Sequence, residues 1–139
     1  MSWNDTIIAE FRANNGTVTT NGFGRSLILL HTLGAHSGAE RVTPVLGRRS
    51  GDDWVVAASY AGAPSHPAWY HNLVAHPDTK IETPDGVIDV TASDITGPEY
   101  DAEWNGFVRQ SHAFAEYQEK AGSRRIPLVR LHRREAATA

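Results

Sequence analysis

A chain of 139 residues with no cysteine, 40% apolar and 21% charged, fits one ordered domain whose core needs no staples. The missing cysteine excludes disulfides, thiolate metal sites and a thiol nucleophile, and the net charge of −3 gives no general pull toward nucleic acid or anionic membrane. No apolar run approaches the ~18 residues of a membrane span and the N-terminus lacks a signal-peptide core, so the expected location is the cytoplasm.

In chain order, Ile7, Ile8 and Phe11 share one face of a short helix over residues 6–13, which Asn14-Asn15-Gly16 stops. Residues 17–24 are polar and glycine-rich and read as a loop, so residues 1–24 form an N-terminal helix and loop. Three apolar, β-branched segments follow at 27–32, 42–48 and 54–59, the last two joined by the polar turn 49–53, and together they read as an antiparallel meander. Pro44 inside the second segment calls for an edge position or a bulge. Pro67 opens a helix to Ala75, with Trp69, Leu73 and Val74 on one face, and Pro77 ends it. Strands at 80–83 and 87–95 form a hairpin through Pro84-Asp85-Gly86. In the second strand Ile88, Val90 and Ala92 alternate with Asp89, Thr91 and Ser93. Gly97-Pro98-Glu99 opens one long helix from Tyr100 to Ala121 with Trp104, Phe107, Val108 and Phe114 as its buried stripe, and Gly122 stops it. A last strand spans 126–133. The expected fold is mainly β (α+β), a split β-barrel of about six mostly antiparallel strands with helices at its openings.

The seven histidines sit in different elements, and the nearest helical pair, His71 and His76, points to different faces. They read as surface or capping imidazoles, and no metal site is expected. Arg124, Arg125, Arg130, Arg133 and Arg134 read as solvated strand ends rather than a nucleic-acid stripe. The loop from Gly34 to Gly38 with the exiting Arg41 has the composition of an anion cradle, and equally of an ordinary hairpin turn. Farther on, Ala57-Ala58-Ser59-Tyr60, Gly62-Ala63 and Trp69-Tyr70-Asn72 combine small residues at a strand end with a helix start. That set suits a flat ring with an anionic tail, and equally a packed barrel core.

The motif G-x-x-S-G-x-x-R-x-x-P from Gly34 to Pro44, the run VVAASYAGAPSHPAWYHNLVAHP from Val55 to Pro77 and the late RRIPLVRL resemble the deazaflavin (F420)-dependent nitroreductases, split-β-barrel reductases with an FMN-binding-like fold. The resemblance covers roughly residues 24–134 and is most specific in P-x-W-Y-x-N-L-x-A-x-P. It implies coenzyme F420 as hydride carrier, with FMN as the alternative, and a quinone, nitroaromatic or conjugated enone as acceptor. By position, Ala35, His36, Ser37, Gly38 and Arg41 would hold the phosphate and oligoglutamate tail. Thr43, Pro44, Val45, Ala57, Ala58, Ser59 and Tyr60 would line the ring, with Gly62, Ala63, Trp69 and Asn72 completing the pocket. Ser59 and Tyr117 would be the catalytic hydroxyls, and Phe114 and Tyr117 would face the substrate. The chain departs from the family pattern at Ala35-His36, where relatives carry a basic pair, at Tyr60, commonly lysine, and at Phe114, commonly tyrosine. The resemblance leaves three readings open: an F420-dependent reductase, an FMN- or haem-binding relative, and a non-catalytic carrier of F420 or a lipid-like ligand. A homodimer fits each of them.

Overall fold

The computed structural model describes residues 2–134. Its elements are α1 (Trp3–Ala13), β1 (Leu27–Leu33), β2 (Glu40–Ser50), β3 (Asp53–Ala57), α2 (Ala68–Ala75), β4 (Asp78–Thr83), β5 (Gly86–Asp94), α3 (Gly97–Gln110), α4 (Ala113–Ala121) and β6 (Leu128–Arg133). The strands close into an antiparallel barrel in the order β1-β2-β3-β6-β5-β4. The predicted six-stranded barrel is therefore present. Among the described residues no helix is long and apolar enough to cross a membrane.

Burial on both faces explains why β1 and β3 read as unbroken apolar runs. Ile28 and Leu30 of β1 and Trp54 and Val56 of β3 fill the barrel with Ile81, Val90, Val129 and Leu131, and Leu73 of α2 joins them. The opposite faces are covered by helices. Leu27 and Leu29 pack on Ile7 and Phe11 of α1, while Val55 and Leu128 pack on Tyr100, Phe107 and Phe114 of α3 and α4. Each such side chain contributes about 1.5–3 kcal/mol on burial. Strand β5 keeps its alternation because only its Val90 face is covered, and Val87 at its start is 66% exposed.

Pro44 sits opposite Leu29, with no bulge. The Gly47 N–H bonds the Ser26 carbonyl, and antiparallel alternation then leaves the Pro44 nitrogen facing away from β1. On that side the ladder to β3 ends at Gly47–Val56, so the missing N–H is lost to no strand. Beyond this point β2 runs on without β3, and the parting of the two strands makes a groove.

Two elements differ from the sequence reading. Val74 is 63% exposed, because α2 turns Leu73 and parts of Trp69 and Tyr70 toward the barrel instead. The long helix is two helices, since Ser111 is extended (φ −154°, ψ 119°). In a straight helix residues 107 and 114 would lie about 10 Å apart along the axis. The break brings the Phe107 and Phe114 rings to 5.1 Å, edge to face, and swings α4 onto the turn after β3.

Candidate active site

Past Ala57 the chain leaves β3 in a tight turn. The Ala58 N–H bonds Pro127 O, Ser59 is right-handed helical, and Tyr60 adopts a left-handed backbone (φ +46°) that holds its ring out, 58% exposed. This turn, β2 and α2 enclose two adjoining cavities. One, of about 300 Å³, is bounded by Pro44, Val45, Ala57, Ser59, Phe114 and Tyr117. The other, of about 350 Å³, is bounded by Thr32, Arg41, Thr43, Ala68, Asn72 and Asn4. Tyr60 and Trp69 belong to both and form the seam between them.

The first cavity is mostly apolar, and its hydroxyls are free: neither Ser59 Oγ nor Tyr117 Oη has a hydrogen-bond partner among the described residues. The second also has a largely apolar wall, but Asn4, Thr32, Arg41, Thr43 and Asn72 bring polar groups to it. Among the described residues Arg41 makes no ion pair. Helix α2 begins at Ala68 after Pro67, which cannot cap it with a side chain, so the first-turn N–H groups of Ala68 and Trp69 stay available at the cavity wall.

Of the residues expected here, Arg41, Thr43, Pro44, Val45, Ala57, Ser59, Tyr60, Trp69, Asn72, Phe114 and Tyr117 come together along this groove. Ala35, His36, Ser37 and Gly38 form an exposed loop at its edge rather than its wall. That loop spends much of its N–H capacity on itself, with Gly34 N bonding Ala39 O, Gly38 N bonding Gly34 O and Ala39 N bonding Ser37 Oγ. The Ala35 N–H goes to Asn72 Oδ1 at 3.0 Å, and Asn72 Nδ2 reaches Thr32 Oγ1 at 3.3 Å. Asn72 thus hangs the loop from α2 and β1 as well as lining the cavity. Ala58 is fully buried, Gly62 lies behind the turn against α4, and Ala63 accepts from Arg124 through its carbonyl.

Three participants carry no local sequence signal. Asn4 reaches the groove from the start of α1. Helix α1 is moored at its other end by a charged cluster. Arg12 forks onto Glu82 (3.0 and 2.7 Å), and His31 lies 2.7 Å from Glu82 and 2.8 Å from Glu40. Hydrogen bonding to Arg12 is the main cause that holds the Glu82 carboxyl below its usual range, and His31 does the same for Glu40. Arg124, expected to be solvated, is instead folded inward onto the carbonyls of the turn after β3. Burial pulls its pKa below the ordinary guanidinium value. A signal for Arg124 would have required knowing that residues 58–63 lie against it.

The sequence model of the F420H(2)-dependent quinone reductase family matches residues 3–133. An F420H(2)-dependent quinone reductase of Mycobacterium tuberculosis is 37% identical over 131 residues, covering 91% of this chain and 87% of the relative. A solved F420-H2 dependent reductase superposes with a TM-score of 0.71 at 34% identity, over 78% of this chain and 95% of the other. A structure described as a domain-swapped dimer superposes with a TM-score of 0.72 at 31% identity, over 92% and 98% of the two chains. With nearly the whole chain matched and the barrel shared, the protein belongs to the F420H(2)-dependent quinone reductase family and is an F420H2-dependent reductase whose cofactor is F420.

Proposed function

We propose that the protein passes a hydride from reduced F420 to a quinone, with the reaction in the cavity that Ser59 and Tyr117 line. The observation that carries this reading is the two-part groove: a chamber with two hydroxyls unpartnered among the described residues, joined at Tyr60 and Trp69 to a second whose wall carries a guanidinium with no ion pair among those residues and an uncapped helix start. A deazaflavin has that division, a flat ring and an anionic tail. The donor set fits it. Pro44, Val45 and Ala57 offer a low wall for the ring, while Arg41 and the Ala68 and Trp69 N–H groups suit a phosphate.

Reduced F420, when bound, supplies a hydride, that is, one proton together with two electrons. The quinone gains that hydride and one proton to become the hydroquinone. The chain's part is to exclude water, to orient the two rings, and to meet the charge that grows on the acceptor oxygen. Ser59 and Tyr117 supply hydroxyl donors there, and in a dry cavity such donors are worth far more than in water. Phe114 bounds the same chamber without a donor, so it sets acceptor size. A homodimer belongs to the same reading, supported by the domain-swapped relative.

The experiment is anaerobic steady-state oxidation of F420H2 against a panel of quinones, nitroaromatics and conjugated enones, at catalytic enzyme. Quinone turnover that exceeds nitroaromatic and enone turnover supports the proposal. Tight F420 binding with no acceleration for any acceptor would make the protein a carrier instead.

A further inference from the structure

Arg124 makes four hydrogen bonds with one side chain and no ion pair among the described residues. Its Nε donates to Ala63 O at 2.8 Å, Nη2 to Ser59 O at 2.7 Å, and Nη1 to Ala58 O at 3.0 Å and to His66 Nδ1 at 3.0 Å. Three of these acceptors are backbone carbonyls of the turn that presents Ser59 and Tyr60. A guanidinium is a rigid planar fork, so acceptors met at this many points fix the turn in orientation as well as place.

The same turn is seated on α4. Gly62 has φ +78°, and a Cβ there would stand 2.7 Å from the carbonyl oxygen and 3.1 Å from the Cα of Tyr117. The turn therefore rests on the backbone of the very residue whose hydroxyl shares the cavity with Ser59. Gln118, the next residue of α4, closes the circuit. Its Oε1 accepts from Ile126 N and its Nε2 donates to Arg124 O, both at 2.9 Å. From α4 the path runs through Gln118 to the Arg124 backbone, through the guanidinium to the turn, and through Gly62 back to Tyr117.

We propose that Arg124 is a positioning residue for hydride transfer, a clamp that sets Ser59 relative to Tyr117 on opposite sides of one closed loop of contacts. The proposal rests on the reading given above for these two hydroxyls. A displacement of about 1 Å of a reacting group costs about a hundredfold in rate, and nothing else among the described residues bonds the carbonyls of both Ala58 and Ser59.

The clamp also has a titratable member. His66 Nδ1 can accept from Arg124 only while it carries no proton. Around it stand Arg124, the Tyr70 ring at 4.9 Å, the His71 ring at 5.9 Å, and Asp94, which accepts from the Tyr70 hydroxyl. Burial first, then Arg124 and His71, hold the imidazole pKa below its ordinary value against the opposing pull of Asp94. Acid would turn the acceptor into a second cation beside the guanidinium.

The test compares wild type, Arg124→Lys, Ser59→Ala, the Ser59→Ala/Arg124→Lys double variant and His66→Asn. In the ligand-free protein, amide exchange across 58–66 should quicken about tenfold in Arg124→Lys while the barrel strands are unchanged. With F420H2 and a quinone, Arg124→Lys should lower kcat about thirtyfold, with KM and F420 affinity within about threefold. In the Ser59→Ala background the same substitution should cost less than about threefold, because the group it positions is gone. His66→Asn keeps an acceptor but cannot titrate. It should abolish the acid fall in kcat that wild type shows, which lies below the ordinary imidazole value of about 6.5 because the folded His66 pKa is lowered, and it serves if Arg124→Lys does not fold. Equal losses in both backgrounds, unchanged exchange across 58–66, or an acid limb unaltered in His66→Asn would each overturn the clamp. Absence of any quinone turnover in wild type would instead overturn the functional reading and the clamp with it.

Discussion

Arg41→Ala is the sharpest test of how the chamber that Arg41 borders works. The guanidinium lies on β2 opposite Thr32, borders the cavity with Thr43 and Asn72, is exposed, and has no ion pair among the described residues. Its removal therefore leaves no orphaned carboxylate and breaks no internal bond, so folding stability should move by less than about 0.5 kcal/mol. A charge-assisted hydrogen bond to phosphate is worth about 1.5–3 kcal/mol, and exposure to solvent and salt trims that to about 1.5 kcal/mol, or roughly tenfold in dissociation constant. The assay is fluorescence titration of F420 into both proteins at low and moderate salt. The mutant should bind about tenfold more weakly at low salt, and the gap should narrow as salt rises. Removing the cofactor's phosphate should erase the difference between the two proteins, whereas shortening its oligoglutamate should matter less. Equal affinities at every salt concentration would refute the assignment and leave Arg41 a solvated strand residue.

Other outcomes follow from the same geometry. Gly62→Ala must accept both φ +78° and a 2.7 Å approach to Tyr117 O, whereas Gly38→Ala meets φ +70° with nothing within 4 Å. Thermal melting should show about 3 kcal/mol lost at Gly62 and about 1 kcal/mol at Gly38; equal losses would mean that the close contact is not real. Glu82→Gln should cost about 2 kcal/mol at neutral pH, since it strips one carboxylate from both Arg12 and His31. Because the folded Glu82 carboxyl is depressed, its contribution is present above the unfolded value of about 4.3 and is lost as pH falls through the folded value. Melts of the two proteins should therefore converge in acid, and a constant gap would contradict the ion-pair account. Trp54→Phe should change stability by less than about 1 kcal/mol despite burial, because the indole Nε1 has no partner among the described residues and its removal relieves an unpaired donor. A loss above about 3 kcal/mol would show that the ring's volume, or a bond made by its N–H, outweighs the cost of the unpaired donor.

Much of the fold could be read from the chain because local chemistry and global packing agree there. The unbroken apolar runs of β1 and β3, the Pro84-Asp85-Gly86 hairpin and the alternation of β5 each follow from which faces the barrel covers. The break at Ser111 was hidden, since neither glycine nor proline marks it and the apolar spacing from Phe107 to Phe114 suits one helix. Beyond it α4 packs against the 60–62 turn, far off in sequence. The groove itself was half legible. Residues 41–45 and 57–60 announce small walls and a cation, whereas the bonding of the 34–39 loop, which uses the N–H groups of Gly34, Ala35, Gly38 and Ala39, depends partly on Asn72, far off in sequence. Arg124 was read as solvated because nothing near it in sequence offers an acceptor. Its acceptors lie some sixty residues earlier, brought alongside when β6 pairs with β3.

The most direct test of the central claim is single-turnover decay of F420H2 absorbance with a quinone, comparing wild type with the Ser59→Ala/Tyr117→Phe double variant under anaerobic conditions. Each lost donor to a developing oxyanion costs about 3 kcal/mol when it acts alone, and coupled donors lose less than the sum, so decay should slow by at least about a hundredfold. F420 affinity should hold within about threefold, since neither hydroxyl borders the chamber that holds Arg41. Decay as fast as wild type in the double variant would show that hydride transfer does not take place beside Ser59 and Tyr117.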